Sequence, residues 1–354
     1  MKDLTERKII PNNKFLCNIT NYYVVCLMKS TVYGPVPSWR LGRSLGIDLT
    51  LIPKKCTLGC VYCQLGETKN YVSKPDDLKN PPDAERVLND LKRKLERIDI
   101  NSLDYITFSG TGEPTLNINL GSIVKKLKEH YSEIPLAILT NATLFYDTRV
   151  RRNVIDIDLI SAKLDAGNQR AFDIINKPSP DLPSFEEIVH HIKTLKDEIH
   201  GRLALEIMLL EVSGLIKNYV GKEADDLLDK IIAINPDIVQ ICAPYRPTAQ
   251  KIVKLPTQAE IDEFEEKVLL YFRKEQVWTY GKRHHNEVIR TRGLEDSSDE
   301  ILELIERRPV SIEEISRTLR YDSKTVENEL KKLLNKFKII EFEKNGTKYY
   351  TLRI

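Results

Sequence analysis

The chain has 354 residues, which is enough for one large α/β domain and a second small one. Hydrophobic residues make up 41% and charged residues 30%, so we expect a sizeable core under a well-solvated surface. The net charge of +2 does not decide whether a nucleic acid is a partner. No apolar run reaches the roughly 18–20 residues that span a bilayer, which excludes a membrane-spanning helix. The N-terminus lacks the pattern of a secretory signal, so a cytoplasmic protein is expected.

The first 30 residues show little of the pattern of a folded domain, because polar and basic residues precede one short apolar run, Tyr22–Met28. Two interpretations stay open: an ordinary N-terminal extension, or a misassigned start whose true first residue is Met28. The expected organisation is an extension over 1–30, a large domain over 31–292, a linker over 293–299 and a small domain over 300–354.

Glycines and prolines within Tyr33–Arg43 predict a loop of fixed shape. Leu45–Ile52 alternates in part and predicts a buried first strand. The segment after this strand therefore lies where a β/α barrel places its chemistry, at the C-terminal end of a strand.

That segment, Lys54–Gly66, holds Cys56, Cys60 and Cys63 in a C-x3-C-x2-C spacing, with Tyr62 just before the last cysteine. A fully ligated [4Fe–4S] cluster takes four cysteines. Three thiolates on one short loop can therefore hold three irons and leave the fourth iron open for another ligand.

Other uses of these cysteines stay open. A zinc site needs four ligands, and the distant His284 could complete a tetrahedron with them. Three structural thiols are a further alternative, whereas disulfides are disfavoured because the cysteines are odd in number and follow no secretory signal. The remaining cysteines form no second cluster motif; they are Cys17, Cys26 and Cys242.

The cysteine loop resembles the signature of the radical S-adenosylmethionine (radical SAM) superfamily, whose pattern includes the aromatic residue that Tyr62 matches. The resemblance extends from about Tyr33 to about Pro247. It implies a partial (βα)6 TIM-like barrel and a [4Fe–4S] cluster on the three cysteines. It also implies S-adenosylmethionine chelating the open iron, and an electron donor of the ferredoxin or flavodoxin type. The segment Tyr33–Leu49 further resembles iron–sulfur oxidoreductases akin to wyosine-type tRNA-modifying enzymes.

Strand and helix patterns alternate after the loop, which predicts a parallel sheet with right-handed crossovers and about six βα units. The predicted strands are Leu103–Phe108, Leu136–Thr140, Leu159–Lys163, Leu203–Leu210, Ile238–Cys242 and Val277–Tyr280. The predicted helices are Asp83–Arg97, Ile123–Tyr131, Phe185–Leu195, Ala224–Ile234 and Gln258–Arg273, with Asp83 and Ser122 as N-caps of the first two.

Polar residues follow several of these strands. The motif Ser109–Pro114 contains GTGEP, and the resemblance assigns Gly112 and Glu113 to the amino group of the cofactor's methionine moiety. Asn141 after the third strand is expected to contact ribose or carboxylate. The fourth strand ends in Ser161, Lys163 and Asp165, which resembles the family's strand near the cofactor carboxylate. Tyr62 is also expected at the cofactor. The alternatives are a glycine turn with a solvated glutamate and ordinary strand-end capping.

The fifth strand carries a glutamate, Glu206, among apolar residues, which is costly unless the carboxylate is paired or lines a polar cavity. Gln240 and Arg246 are candidates to face the substrate. Cys242 is either a hydrogen-atom donor or a small buried side chain.

Residues 300–354 predict three helices and a β-hairpin about an Asn-Gly turn, an order that resembles a winged helix. From Arg320 onward, nine Lys or Arg against five Asp or Glu allow a nucleic-acid contact. Glu327 and Glu329 in the third helix would oppose phosphates, and winged helices also dock proteins.

The first functional hypothesis is a radical SAM enzyme that abstracts hydrogen from RNA, with peptide or protein modification as the alternative substrate class. The second is a redox-sensing, nucleic-acid-binding regulator with the cluster as its switch. The enzyme is favoured because a sensor has no need of the GTGEP motif or of six βα units.

Overall fold

The structure is a computed structural model that describes residues 30–282, 297–319, 321–336, 338–344 and 346–352, together with the backbone of three N-terminal strands. These strands pair antiparallel into a sheet of their own, within the segment expected to be an extension; they are β1 (Ile9–Ile10), β2 (Lys14–Ile19) and β3 (Tyr22–Leu27). Several residues named above lie outside the described residues: Met28, His284, the linker positions 293–296, Arg320 and Asn345.

The centre of the molecule is a sheet of eight strands in the order β14-β12-β9-β8-β7-β6-β5-β4. All neighbours from β5 to β14 pair in parallel, and β4 pairs antiparallel with β5. In chain order the strands are β4 (Val32–Ser38), β5 (Gly42–Ile47), β6 (Tyr105–Phe108), β7 (Leu136–Thr140), β8 (Leu159–Lys163), β9 (Arg202–Met208), β10 (Glu211–Val212), β11 (Ile216–Lys217), β12 (Ile238–Cys242), β13 (Val253–Lys254) and β14 (Val277–Thr279). The short strands β10, β11 and β13 form a separate sheet.

Helices alternate with the parallel strands and cover the sheet. They are α1 (Ala84–Leu95), α2 (Leu120–His130), α3 (Thr148–Val154), α4 (Gln169–Asn176), α5 (Phe185–Glu198), α6 (Gly221–Ile234) and α7 (Gln258–Leu269). Aliphatic side chains of the strands and of the inner helix faces form one continuous core. This confirms the predicted α/β class with a partial parallel barrel.

Two predictions near the first strand were wrong. Much of the expected loop at Tyr33–Arg43 is strand β4, which accommodates its prolines because it lies at the edge of the sheet. The following strand ends at Ile47 rather than Ile52, since the Asp48 carboxylate accepts the backbone N–H groups of two residues after it and so forms a turn.

Helix starts were predicted with mixed success. Asp83 caps α1 as expected, accepting the backbone N–H of Arg86 at 2.9 Å. Ser122 is not the cap of α2: the helix begins at Leu120, and the Ser122 hydroxyl donates to the carbonyl of Asn119.

The C-terminal module comprises α8 (Ser297–Arg307), α9 (Ile312–Leu319), α10 (Ser323–Asn335) and the hairpin of β15 (Ile339–Lys344) and β16 (Thr347–Leu352). Helix α8 thus begins within the segment expected to be a linker. The hydrophobic core of the module includes Tyr33 and Val36 of β4, so the module packs against the edge of the barrel sheet. In the part of the chain that the structure describes, no helix is long and apolar enough to cross a membrane.

Candidate active site

A cavity of about 330 Å³ opens at the C-terminal ends of the parallel strands. Its lining includes all three cysteines of the loop and, from the predicted cofactor residues, Tyr62, Gly112, Glu113, Asn141 and Lys163. Ser161 and Asp165 are not part of the lining and lie behind it. Motifs that lie far apart in the chain therefore meet at one cavity, and their roles in binding the cofactor stay predictions.

Each cysteine sulfur has a side-chain N–H donor, and the three donors come from different parts of the chain. Lys54 Nζ lies 3.1 Å from Cys63 Sγ, and Asn141 Nδ2 lies 3.5 Å from Cys56 Sγ. Asn176 Nδ2, at the end of α4, lies 3.4 Å from Cys60 Sγ. Hydrogen bonds to sulfur stabilise thiolates and help to set the reduction potential of iron–sulfur clusters. No motif in the sequence identified Lys54 or Asn176 as a hydrogen-bond donor to a cysteine sulfur.

The thiols must lose their protons before they can bind iron. Burial raises the pKa of Cys56 to about 12 and that of Cys60 to about 11, against a smaller opposing effect of nearby hydrogen bonds. Metal ions bind the deprotonated thiolate, so cluster assembly here releases protons.

The donor set fits a cubane cluster. Among the described residues, no three His, Cys, Asp or Glu are grouped closely enough to hold one metal ion. A cluster does not need such a group, because each thiolate binds a different iron of the cubane. Three thiols that share one cavity, each with an N–H donor, would hold three irons of such a cluster and leave the fourth without a cysteine ligand.

Asp48 connects the turn that leads into the cysteine loop with the GTGEP loop. One carboxylate oxygen accepts the backbone N–H groups of Thr50 and Leu51, and the other accepts the N–H and hydroxyl of Thr111. Gly112 then packs on the backbone carbonyl of Lys55, where an added Cβ would lie 2.0 Å from the oxygen. The glycine is therefore required for the close approach of the two loops.

Glu113 lines the cavity, and its carboxylate also accepts hydrogen bonds that hold neighbouring segments of the site together. Its Oε1 accepts from the N–H and hydroxyl of Thr115 and from the Thr140 hydroxyl, and its Oε2 accepts from the Asn141 N–H at 2.8 Å. Burial raises the pKa of Glu113 despite these bonds. Because Oε2 accepts only this one hydrogen bond among the described residues, it retains capacity for an ammonium group.

Asp165 lies behind Tyr62 rather than on the cavity surface. Its carboxylate accepts the Tyr62 hydroxyl, Asn176 Nδ2 at 2.9 Å and the Met208 N–H at 3.0 Å. It thus holds together the cysteine loop, the end of α4 and the end of β9. Burial and the neighbouring Asp165 charge raise the pKa of Tyr62, so its hydroxyl stays protonated and donates.

Gln240 does not face the substrate cavity, contrary to the prediction. It is fully buried in β12, and its Oε1 accepts the Ser161 hydroxyl at 3.0 Å. Period-two alternation places a strand residue on one face but does not say whether that face is lined by a cavity or filled by a neighbour. Here Gln240 Oε1 accepts from Ser161 inside the barrel, whereas Gln240 Nε2 is buried without a hydrogen-bond partner among the described residues.

Glu206 is paired, as a buried glutamate requires. Its Oε2 lies 2.5 Å from Arg40 Nη1 and its Oε1 lies 3.3 Å from Lys163 Nζ. Burial alone would raise the pKa of Glu206, but the two cations outweigh it and hold the pKa at about 2. We call Arg40, Glu206 and Lys163 the inner triad; it carries one positive charge in excess. Arg40 follows strand β4, which was predicted to be a loop, and no pattern in the sequence marked it as the partner of Glu206.

Cys242 lines the same cavity beside the inner triad. Its Sγ lies 3.7 Å from Glu206 Oε1 and 3.8 Å from Met208 Sδ. Burial raises the pKa of this thiol beyond the ordinary range of cysteine, and the nearby Glu206 charge raises it further. The thiol is therefore protonated at neutral pH.

A second group of charges lies at the mouth of the cavity, where barrel and C-terminal module meet. Arg246, after β12, places Nη2 2.5 Å from Oε1 of Glu314 in α9 and donates Nη1 to Gln64 Oε1 at 3.0 Å. Arg308, after α8, lies 4.0 Å from the same Glu314 oxygen. We call Arg246, Glu314 and Arg308 the outer triad. Both arginines line the cavity, so Arg246 remains a candidate to face the substrate.

Aromatic rings flank the outer triad. Tyr245 and Tyr280 stack with centroids 4.4 Å apart, and Trp39 meets Tyr280 edge-on at 5.8 Å. The Arg246 guanidinium lies 4.9 Å from the centre of the Tyr245 ring.

Comparisons with known proteins identify a family for this chain. The family model of the radical SAM superfamily matches residues 50–213. A UPF0026 protein of Methanocaldococcus jannaschii is 31% identical over 326 residues, covering 91% of this chain and 96% of that protein. A Brachyspira hyodysenteriae protein named GTPase Obg is 31% identical over 329 residues, covering 93% of this chain but 46% of that protein.

Among solved structures, a radical SAM methyltransferase from Sphaerobacter thermophilus aligns with a TM-score of 0.46 at 17% identity, over 67% of this chain and 64% of that one. The chain thus spans less than two thirds of this structure and of the Brachyspira relative. From its family match and its near full-length relative, the chain belongs to the UPF0026 family of the radical SAM superfamily, and it is an enzyme whose cofactors are a [4Fe–4S] cluster and S-adenosylmethionine.

Proposed function

We propose that this enzyme abstracts a hydrogen atom from RNA bound across the mouth of the cavity. When bound, the cofactors supply a 5′-deoxyadenosyl radical, formed with methionine by one-electron cleavage of the sulfonium C–S bond. The protein positions cofactor and substrate and excludes water and competing quenchers.

The residues divide the work of holding the cofactors. Cys56, Cys60 and Cys63 bind three irons. Gly112 and Glu113 bind the amino group of S-adenosylmethionine, with Glu113 Oε2 as the acceptor.

The remaining predicted residues act on the rest of the cofactor. Lys163, with the excess charge of the inner triad, binds the carboxylate, and Asn141 contacts carboxylate or ribose. Asp165 acts from behind the lining through Tyr62. Ser161 supports the lining only from within the barrel, where its hydroxyl donates to the buried Gln240.

The observation that carries the RNA proposal is the composition of the mouth, where an arginine-rich edge adjoins three aromatic rings. Single-stranded RNA is recognised by stacking of bases on aromatic and guanidinium planes and by cationic contacts to the backbone. The resemblance of Tyr33–Leu49 to wyosine-type enzymes favours the same substrate class.

We further propose that 31–292 is the radical SAM domain and 300–354 a winged-helix domain that presents the RNA. The surroundings of Glu329 weaken the objection that its carboxylate would oppose RNA phosphates. Glu329 of α10 is 7% exposed and paired with Lys332 at 2.7 Å, so it does not present a free carboxylate to a phosphate. A ferredoxin or flavodoxin supplies the electron.

The test uses anaerobically reconstituted, reduced enzyme. The substrate is RNA from cells that lack this enzyme and were grown in deuterated medium. We expect this RNA to stimulate 5′-deoxyadenosine formation and to transfer deuterium into it, and Cys60→Ala to abolish both. Nuclease-digested RNA and a deuterated peptide mixture are the controls. Deuterium arriving from the peptides instead would establish the peptide-modifying alternative. Absence of any cleavage despite bound cofactors and RNA would favour the redox sensor.

A further inference from the structure

The outer triad combines parts of the chain that lie far apart in sequence. Arg246 belongs to the loop after the sixth parallel strand, whereas Arg308 and Glu314 belong to the C-terminal module. Arg246 also donates to Gln64, which directly follows Cys63. The triad is therefore complete only when the module is docked, and it adjoins the loop that holds the cluster.

The charges in this triad are unbalanced. Two guanidiniums share one carboxylate oxygen, and Arg246 is the nearer at 2.5 Å against 4.0 Å for Arg308. Glu314 also serves its own helix, since its Oε2 accepts the Ser311 N–H. One positive charge is left without a full counter-charge.

The Arg308 guanidinium is the group that lacks a full counter-charge. Its side chain is 15% exposed and lines the cavity. Among the described residues it makes no side-chain hydrogen bond, and the Nε of Arg246 is likewise buried without a partner. Burial and the neighbouring Arg246 lower the pKa of Arg308 to about 10, so it remains charged at neutral pH. A buried cation without its counter-charge is costly, and an incoming anion relieves that cost.

We propose that Arg246 and Arg308 bind a phosphate group of the substrate at the junction of barrel and module. Guanidinium forks match phosphate oxygens in bidentate geometry. The stacked Tyr245 and Tyr280 rings beside Arg246 provide a plane for the attached base. This assignment rests on the proposed RNA function for the identity of the substrate, but the phosphate site is testable by itself.

The first experiment measures inorganic phosphate binding to the reconstituted full-length enzyme by calorimetry, at ionic strength held constant with chloride. Arg308→Gln should weaken binding about tenfold or more, the effect of losing a charged hydrogen bond, and Arg308→Lys should restore part of it. Glu314→Gln removes the competing carboxylate and should tighten binding, a sign that simple misfolding would not produce. Arg170→Gln, at an exposed ion pair outside the cavity lining, is the matched control and should change nothing.

Three results would overturn the phosphate site: no phosphate binding by the wild type, equal binding by Arg308→Gln, or an equal loss of S-adenosylmethionine affinity in that variant. The last result would assign the triad to the cofactor.

The second experiment measures affinity for an RNA stem-loop as a function of salt. Loss of one phosphate contact should lower the slope of log K against log [salt] by about 0.7–0.9 in Arg308→Gln. If phosphate binds through Arg308 but RNA does not bind at all, the site stands and the RNA function fails. If RNA binds with the same slope in both proteins and phosphate does not bind, the RNA function stands and this site fails.

Discussion

At the scale of single residues, Asn176 shows how a residue far from the cysteines in sequence becomes part of their surroundings. It is the last residue of α4, yet its amide donates both to Cys60 Sγ and to Asp165. A hydrogen bond to sulfur favours the reduced, more negative cluster, so Asn176 should raise the reduction potential.

We therefore expect Asn176→Ala to lower the cluster potential by about 60 mV, the equivalent of a tenfold change for a one-electron couple. Asn168→Ala is the matched control, because Asn168 caps the other end of the same helix without touching a cysteine. An anaerobic redox titration followed by electron paramagnetic resonance measures both. Equal potentials in the two variants would show that the contact does not tune the cluster.

The ion pairs of Glu206 should make the unfolding free energy of the protein depend on pH. Its folded-state pKa of about 2 lies below the ordinary value of 4.5, so its stabilising effect is present above pH 4.5 and is lost as the pH falls towards 2. The difference corresponds to about 3 kcal/mol. At neutral pH, Glu206→Gln should destabilise the protein by about 3–5 kcal/mol, because two buried cations are left facing each other.

The gap in unfolding free energy between wild type and Glu206→Gln should narrow as the pH is lowered from 5 towards 2. Urea unfolding of cluster-free protein measures it, and the two tryptophans, Trp39 and Trp278, report on the barrel. The exposed Glu133, which lies outside the inner triad, provides the control, and Glu133→Gln should change the unfolding free energy only slightly. A constant gap for Glu206→Gln over this range would contradict the assigned ion pairs.

These residues also show what sequence reasoning can reach. The cysteine loop is a local pattern of residue type and spacing, and GTGEP resembles a motif of the family, so both could be singled out from the sequence. Glu206 could be predicted to need a partner because it is a charged residue among apolar residues of a strand. Its partner Arg40 could not be identified, since an ion pair across the barrel produces no pattern in the local sequence. The same holds for Asn176 and Arg308.

At the scale of elements, β4 connects the barrel to the C-terminal module. The Tyr33 ring lies over Gly46 of the neighbouring strand, where an added Cβ would come within 2.2 Å of the ring. Its hydroxyl bonds to Ser109 and the Arg307 guanidinium lies 4.9 Å from the ring centre. The strand was mistaken for a loop because prolines usually interrupt strands, and only its edge position in the sheet accommodates them.

Tyr33→Ala should loosen the module from the barrel, since it removes a buried ring from the core of the module at a cost of about 3–5 kcal/mol. We expect faster hydrogen exchange in α8, α9 and α10, with the parallel strands β6 to β9 little changed. Tyr33→Phe keeps the ring and should leave exchange in the module near that of the wild type. Unchanged exchange in Tyr33→Ala would mean that the module is held elsewhere.

At the scale of the whole molecule, one cavity is enclosed by three parts of the chain: the cysteine loop, the ends of the parallel strands and the C-terminal module. Alternation of strands and helices predicted the barrel, and a capped helical pattern followed by a hairpin predicted the module. The contact between the barrel and the module at the outer triad could not be predicted from the sequence. It depends on how the two parts dock, not on the sequence pattern within the barrel or within the module.

The central claim is that Cys56, Cys60 and Cys63 hold a cluster that drives cleavage of S-adenosylmethionine. The most direct measurement is iron and sulfide content together with 5′-deoxyadenosine formation, compared between wild type, Cys60→Ala and the control Cys242→Ala. We predict about four irons and product from the wild type, loss of both in Cys60→Ala, and retention of the irons in Cys242→Ala. Full iron content and cleavage activity in Cys60→Ala, or a single zinc ion in the wild type, would contradict the account.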